Sequence, residues 1–464
     1  MKATDDYARF IADKSKAAPP AGFDVREREL PASLFDWQKA VVRWALRKGR
    51  AALFLDTGLG KSRQAMAWGN HVVAKTGKPV VLFTALAVGP QFVNESKKSG
   101  IGGVGLWPSE SEIVVVNYHK LHLIDPSKFG GVILDESSIL KSHSGSVNND
   151  LIAAFAGTPY KLCCTATPSP NDVEELGNHA AFLGVCSRAE MLATYFVHDS
   201  SDTAKWRLKG HAEEAFWKWV ASWAMVMRHP SDIGFDADSR YDLPPLDIVE
   251  HLVDSPAQDG RLFAVPASTL TEQRAARNLT RSSRVDAVAG MVNADPSQWI
   301  VWCERNDEGD QLEKAIRGAV QVAGRDSDDD KVSRIMGFES GVHRVMVGKP
   351  SQLGFGLNWQ HCNRMAFVGI SHSFEQFYQA VRRCWRFGQT MPVTAHVVTS
   401  DLEVGILDNV RRKQAGHDAM FARMLQYTAA INKADIGTTG KGRKKTTTGG
   451  VPMVLPSFLT KLGA

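Results

Sequence analysis

The heptad Asp56-Thr57-Gly58-Leu59-Gly60-Lys61-Ser62 stands between the apolar run Ala51 to Leu55 and a helix-like pattern from Lys61 to Trp68. Strand, glycine loop and helix in that order make a phosphate-binding unit. A triphosphate needs backbone N–H groups, a helix N-terminus, a cationic point charge and a hydroxyl for magnesium, all at close range. Gly58 and Gly60 free the backbone, Lys61 is the cation, and Ser62 is the hydroxyl; Asp56, Thr57 and Leu59 complete the loop. The usual first glycine of such a loop is replaced by Leu55. Taken alone, the heptad also fits a glycine turn that opens a helix and binds nothing.

Further along, Val132-Ile133-Leu134-Asp135-Glu136 reads as an apolar strand that delivers two carboxylates at its C-terminal end. Open parallel sheets bind ligands at that end. Asp135 can therefore hold magnesium while Glu136 orients or deprotonates an attacking water. Acids favoured at a helix N-terminus are the other explanation of the pair. Loop and carboxylates together, in this order, point to hydrolysis of ATP or GTP.

Outward from these stretches the chain alternates. Buried-strand candidates are Val80 to Thr84, Ile113 to Asn117, Gly131 to Leu134 and Leu162 to Thr165, with helix-length segments between most of them. Leu34 to Lys48 has the spacing of an amphipathic helix, stopped by Gly49. Arg188 to Tyr241 breaks the rhythm: it is rich in aromatic residues, among them Trp206, Phe216, Trp217, Trp219 and Trp223, and reads as helical. A second alternating set begins near Arg281, with strand candidates Trp299 to Cys303, Arg344 to Gly348, Arg364 to Val368 and Val393 to Val398. The expected fold class is α/β, with a mainly parallel sheet flanked by helices in each of two lobes, residues 30–186 and 251–431. A lead-in occupies 1–29, an aromatic helical insertion or connector 187–250, and a flexible basic tail with an apolar end 432–464.

At 464 residues the chain exceeds one ordinary domain, and 44% hydrophobic with 23% charged residues is the balance of a folded protein. The six cysteines are scattered without Cys-x-x-Cys pairs, which reads as reduced structural thiols rather than a zinc site. A net charge of +5 permits a polyanionic partner without demanding one. The absence of a long apolar stretch leads to the expectation of a cytoplasmic, unanchored protein.

The ordered motifs resemble those of the Swi/Snf-type helicase-like ATPases of superfamily 2, over roughly Leu34 to Ser400. The resemblance implies two RecA-like P-loop lobes that clamp ATP with magnesium and step along nucleic acid, usually duplex DNA. Within it, Gln38 in Phe35-Asp36-Trp37-Gln38 is similar to the glutamine that reads adenine. Pro79 to Glu95, and Glu112 to Leu121 with Tyr118, are similar to the stretches that follow the phosphate loop. Cys164-Thr165-Ala166-Thr167-Pro168 with Asn171, Glu175 and Leu176 is similar to the motif that relays phosphate occupancy. Arg228, Asp232 and Leu243-Pro244-Pro245 resemble the connector between lobes.

In the second lobe, Ser351, Gly354, Gly356, Leu357 and Asn358 resemble a phosphate-approaching glycine motif. The segment from Gln379 to Gln389 resembles the last motif of the set. Arg383 and Arg386 lie three apart there, so a helical turn directs both to one side, and the resemblance makes them the arginine fingers of ATP hydrolysis. Gln379 and Gly356 join Gln38 and the heptad in the expected nucleotide-binding set, with Ser62 and Asp135 on the metal. Departures from the family pattern are Ser138 in place of histidine, Ala166 in place of glycine and Pro170 in place of glutamine.

The basic tail residues Lys441, Arg443, Lys444 and Lys445 are read as a solvated end, with contact to phosphate backbone as the alternative. A protein partner could use the aromatic insertion or the apolar C-terminal segment Val451 to Leu462. So compact a motor is expected from a bacterial or viral source. Two other functions stay open at this point: a strand-separating helicase acting on RNA, and a nucleotide-dependent clamp or scaffold without catalysis.

Overall fold

The computed structural model describes residues 21–85, 88–141, 145–170, 172–198, 206–236, 241–255, 270–353, 357–371, 373–401 and 405–437. Gly354, Gly356, Asn171, the tail lysines and arginine, and Val451 to Leu462 lie outside them, as does most of the lead-in. The chain divides into two units, Met1–Ala237 with His417–Ala464, and Asp238–Gly416. Each is an α/β lobe built on its own parallel sheet.

The first sheet contains β1 (Arg50–Leu55), β2 (Val80–Thr84), β3 (Val104–Leu106), β4 (Ile113–Asn117), β5 (Gly131–Asp135), β6 (Tyr160–Thr165) and β9 (Ala224–Met227). Their order across the sheet is β3-β4-β2-β5-β6-β1-β9, and every pairing is parallel. The central strands are buried along their length, so they are apolar on both faces rather than alternating. One face, with Phe54, Phe83, Leu134 and Cys163, packs on residues of the helices Leu176–Leu183, Arg188–Tyr195 and Glu213–Ala221. The helix Lys61–Thr76 reaches the sheet where Gly69 leaves room: a Cβ there would stand 2.8 Å from Ile113 Cδ1.

The stretch Arg188 to Tyr241 is more varied than its aromatic, helical pattern predicts. Besides two helices it supplies a short antiparallel ribbon, β7 (Phe196–His198) with β8 (Trp206–Leu208), and then β9 itself. The tryptophans explain the misreading. Trp217, Trp219 and Trp223 belong to the core of the first sheet, so their spacing reports burial and not one continuous helix. β9 pairs with β1, and Met227 O accepts from Asp56 N at 2.9 Å, which fixes the entry to the heptad Asp56 to Ser62.

The second sheet runs β10-β15-β14-β11-β13-β12, again all parallel. Its strands are β10 (Leu246–Val253), β11 (Trp299–Cys303), β12 (Ala319–Val322), β13 (Val345–Gly348), β14 (Arg364–Val368) and β15 (Val393–Ser400). Ile300, Trp302, Met365 and Phe367 join one core cluster, and Trp299, Val301, Cys303 and Val368 join another, the period-two division of a sheet covered on both faces.

The boundary between units falls inside the long helix Gly405–Gly437. Its later part is tied into the first unit: Met420, Phe421 and Met424 join that core, and Asp435 accepts from Trp44 Nε1 at 3.3 Å. No helix among the described residues is long and apolar enough to cross a membrane. All six cysteines are free thiols.

Candidate active site

The site in the first unit grows from the C-terminal ends of β5, β6 and β1, which are neighbours in the sheet. After β1 the heptad turns through two glycines with positive φ, Gly58 at 90° and Gly60 at 74°. Gly60 is the N-cap of the helix Lys61–Thr76 and has no side chain to cap it, so the first-turn amides stay available to an anion. A side chain at 60 would also collide with Gln38, since its Cβ would lie 2.3 Å from Nε2.

Gln38 is buried and holds two backbones together. Its Oε1 accepts from Phe35 N at 3.0 Å, and its Nε2 donates to Leu59 O at 3.2 Å. Gln64 Nε2 donates to the same carbonyl at 2.8 Å. Asp56 Oδ1 accepts from Thr57 N and Thr57 Oγ1, at 2.6 and 3.1 Å, so the first turn of the loop is closed on itself.

Lys61 Nζ donates to Leu55 O at 2.8 Å and to Asp56 O at 3.1 Å. Burial of the ammonium lowers its pKa, and the charges that oppose this are Glu136 first, then Asp56 and Asp135. The lysine, past the end of β1, and both carboxylates, at the end of β5, thus interact across the end of the intervening β6. Ser62 follows Lys61 in the first helical turn.

Asp135, the last residue of β5, is buried and its Oδ2 accepts from Thr84 Oγ1 at 2.8 Å. Glu136 is the one non-glycine residue with positive φ among the described residues, at 53°. Thr165 Oγ1 donates to Glu136 Oε2 at 3.4 Å and accepts from Thr167 N at 3.0 Å. The small hydroxyl stretch singled out in the sequence is therefore in contact with the second carboxylate. One step beyond, Ser137 Oγ and His179 Nε2 are 3.1 Å apart in the buried core.

Two residues here escape a sequence reading. Thr84 ends a strand that pairs with β5, but strand order is set by packing and is not written in the chain. Tyr118 falls in a stretch noted for its resemblance alone, and its hydroxyl donates to Asp135 O at 2.7 Å. The usable signal is a hydroxyl at or just past the end of an apolar run.

In the second unit Gln379, Arg383 and Arg386 come together around Leu357, which stands ahead of β14. Arg383 is 1% exposed; its Nε donates to Gln379 O at 2.8 Å, Nη2 to Gln379 Oε1 at 3.0 Å, and Nη1 to Leu357 O at 3.0 Å. Arg386 is half-buried, and its Nη1 donates to Leu357 O at 2.9 Å. The expected helical turn is corrected here, because the helix Phe374–Val381 ends before either arginine. Arg383 N turns to Ala380 O while its own guanidinium takes Gln379 O, the acceptor that one more α-helical bond would use. Arg382 next to them is buried with its guanidinium 5.2 Å from the ring of Tyr378 and 4.6 Å from that of Trp385.

No family model matches the chain, and no curated protein does. Among solved structures the chain is similar to the Sulfolobus solfataricus SWI2/SNF2 ATPase core in complex with dsDNA. The TM-score is 0.41 at 16% identity, with 88% of this chain and 96% of that chain covered.

Proposed function

We propose that this protein hydrolyses ATP and uses the reaction to move along DNA. The observation that carries the proposal is the convergence of Lys61, Asp135 and Glu136 at the C-terminal ends of β1 and β5, either side of β6, beside an uncapped helix N-terminus. A nucleotide binder without catalysis has no need of a second carboxylate, Glu136, next to the buried Asp135 beside the loop lysine.

The donor set fits a triphosphate and its metal. Lys61 and the first-turn amides supply positive charge to the phosphates, and Ser62 with Asp135 supplies hard oxygen ligands of the kind magnesium takes. The bound metal would neutralise charge on the phosphate oxygens. Glu136 orients the attacking water and accepts its proton as the oxygen bonds to the terminal phosphorus. The bond to the bridging oxygen breaks, leaving ADP and inorganic phosphate. Thr165 holds the Glu136 carboxylate while this happens. Gln38, already on the loop carbonyl of Leu59, is the proposed adenine-side residue. The motif resemblance adds Arg386, the half-buried arginine of the pair, as a cation for the charge that develops on the terminal phosphate, with the buried Arg383 holding the turn that carries it.

DNA as the track rests on the ordered motifs of the sequence. The test is displacement of a third strand from an intact DNA triplex. ATP-dependent displacement without separation of the underlying duplex is the expected result. Separation of a plain duplex by the same protein would replace the proposal by strand unwinding, and phosphate release with neither would leave an ATPase that does not move.

A further inference from the structure

Glu136 occupies a backbone region that carboxylate side chains seldom adopt, and something must hold it there. The peptide that joins Asp135 to Glu136 sets this geometry, since its rotation changes φ of Glu136 directly. The carbonyl of that peptide is Asp135 O, the acceptor of the Tyr118 hydroxyl at 2.7 Å. Tyr118 is itself buried, and its ring stacks on Phe83 with centroids 5.7 Å apart and planes 23° from parallel. Its position is thus set by the sheet, through a residue of β2. Thr84, the next residue of β2, donates its hydroxyl to the Asp135 carboxylate.

On the hydrolytic reading above, we infer that Tyr118 is a positioning residue for catalysis, pinning the Asp135–Glu136 peptide so that the Glu136 carboxylate faces the phosphate loop, with Thr84 orienting the Asp135 carboxylate for metal. Removing the Tyr118 hydroxyl frees the peptide plane to relax toward a commoner φ, and the Glu136 carboxylate moves with it. Phosphate binding, which depends on Lys61 and the loop amides, is untouched by that rotation.

The experiment is a double-mutant cycle on the whole chain, with Tyr118→Phe in the parent and in Glu136→Gln. Phenylalanine keeps the ring stacked on Phe83, and affinity for a fluorescent ATP analogue reports that the nucleotide site is folded. In the parent, kcat for ATP should fall about tenfold or more while KM changes less than about twofold. In Glu136→Gln the same substitution should cost less than about twofold, because the group it acts through is gone. Equal losses in both backgrounds would overturn the inference, as would an unchanged kcat in the parent. Thr84→Val should raise the magnesium concentration needed for half-maximal turnover, with Thr84→Ser restoring it; an unchanged magnesium dependence overturns the Thr84 assignment. A parent chain that hydrolyses ATP but fails these tests leaves the hydrolytic reading standing, whereas a parent without hydrolysis removes both.

Discussion

Arg383 and Arg386 donate to one acceptor: Nη1 of each reaches Leu357 O, at 3.0 and 2.9 Å. The two side chains nevertheless stand in different surroundings. Arg383 is sealed in the second unit with two further bonds to Gln379, while Arg386 is half-buried at the end of the turn. One arginine is built into the fold and the other sits nearer its surface.

Different outcomes are therefore expected on replacing them. Arg383→Ala takes the buried cationic donor from both Gln379 acceptors and leaves Leu357 O with Arg386 alone, so it should destabilise the second unit by roughly 2 to 4 kcal/mol. Arg386→Ala should cost less than about 1 kcal/mol of stability and lower ATP turnover by at least about a hundredfold, with ATP affinity retained. Urea titrations beside steady-state kinetics separate the two. A stable Arg383→Ala chain would contradict the structural role given to that residue.

Gly60 gives a second prediction. Its φ of 74° disfavours any side chain, and a Cβ would collide with Gln38 Nε2. Gly60→Ala should weaken ATP binding by about tenfold or more, since the loop amides move off their positions. Measured against Gln38→Ala alone, Gly60→Ala should cost less affinity than it does in the parent but still cost some, because the collision is gone and the backbone strain is not. No cost in that background, read as nucleotide affinity, would show that φ at residue 60 is unimportant.

The third prediction concerns pH. Burial holds the His179 imidazole neutral and lowers its pKa from 6.5 to about 4. The unfolded chain then binds a proton between these values and the folded chain does not, so stability rises with pH across the window and falls as pH drops from 6.5 toward 4. The shift corresponds to roughly 3 kcal/mol at most, all of it lost below pH 4. Denaturant midpoints at pH 7 and pH 5 for the parent and for His179→Leu should show a smaller difference in the variant. A pH dependence identical in the two chains would remove His179 from the account.

The chain declares its central strands because they are buried on both faces: Val80 to Thr84, Ile113 to Asn117, Trp299 to Cys303 and Arg364 to Val368 stand out as apolar runs and are strands over those residues. β3, β10 and β12 are less apparent. They lie at sheet edges, with partly exposed residues along them and, in β10, charged Asp247 and Glu250, so no continuous apolar run marks them. β9 is apolar but hidden behind a tryptophan-rich helix that resembles its continuation. For the site, Lys61, Asp135 and Glu136 are legible because phosphate chemistry fixes both residue type and position on strand or loop. Thr84 and Tyr118 are not, since their importance arises from the order of strands across the sheet, which only packing decides.

The most direct test of the central claim is phosphate release from ATP by the whole chain, with and without duplex DNA, beside Lys61→Ala. The account predicts that DNA raises parent turnover by about tenfold or more and that Lys61→Ala abolishes hydrolysis in both conditions. Hydrolysis by Lys61→Ala at the parent rate would contradict it.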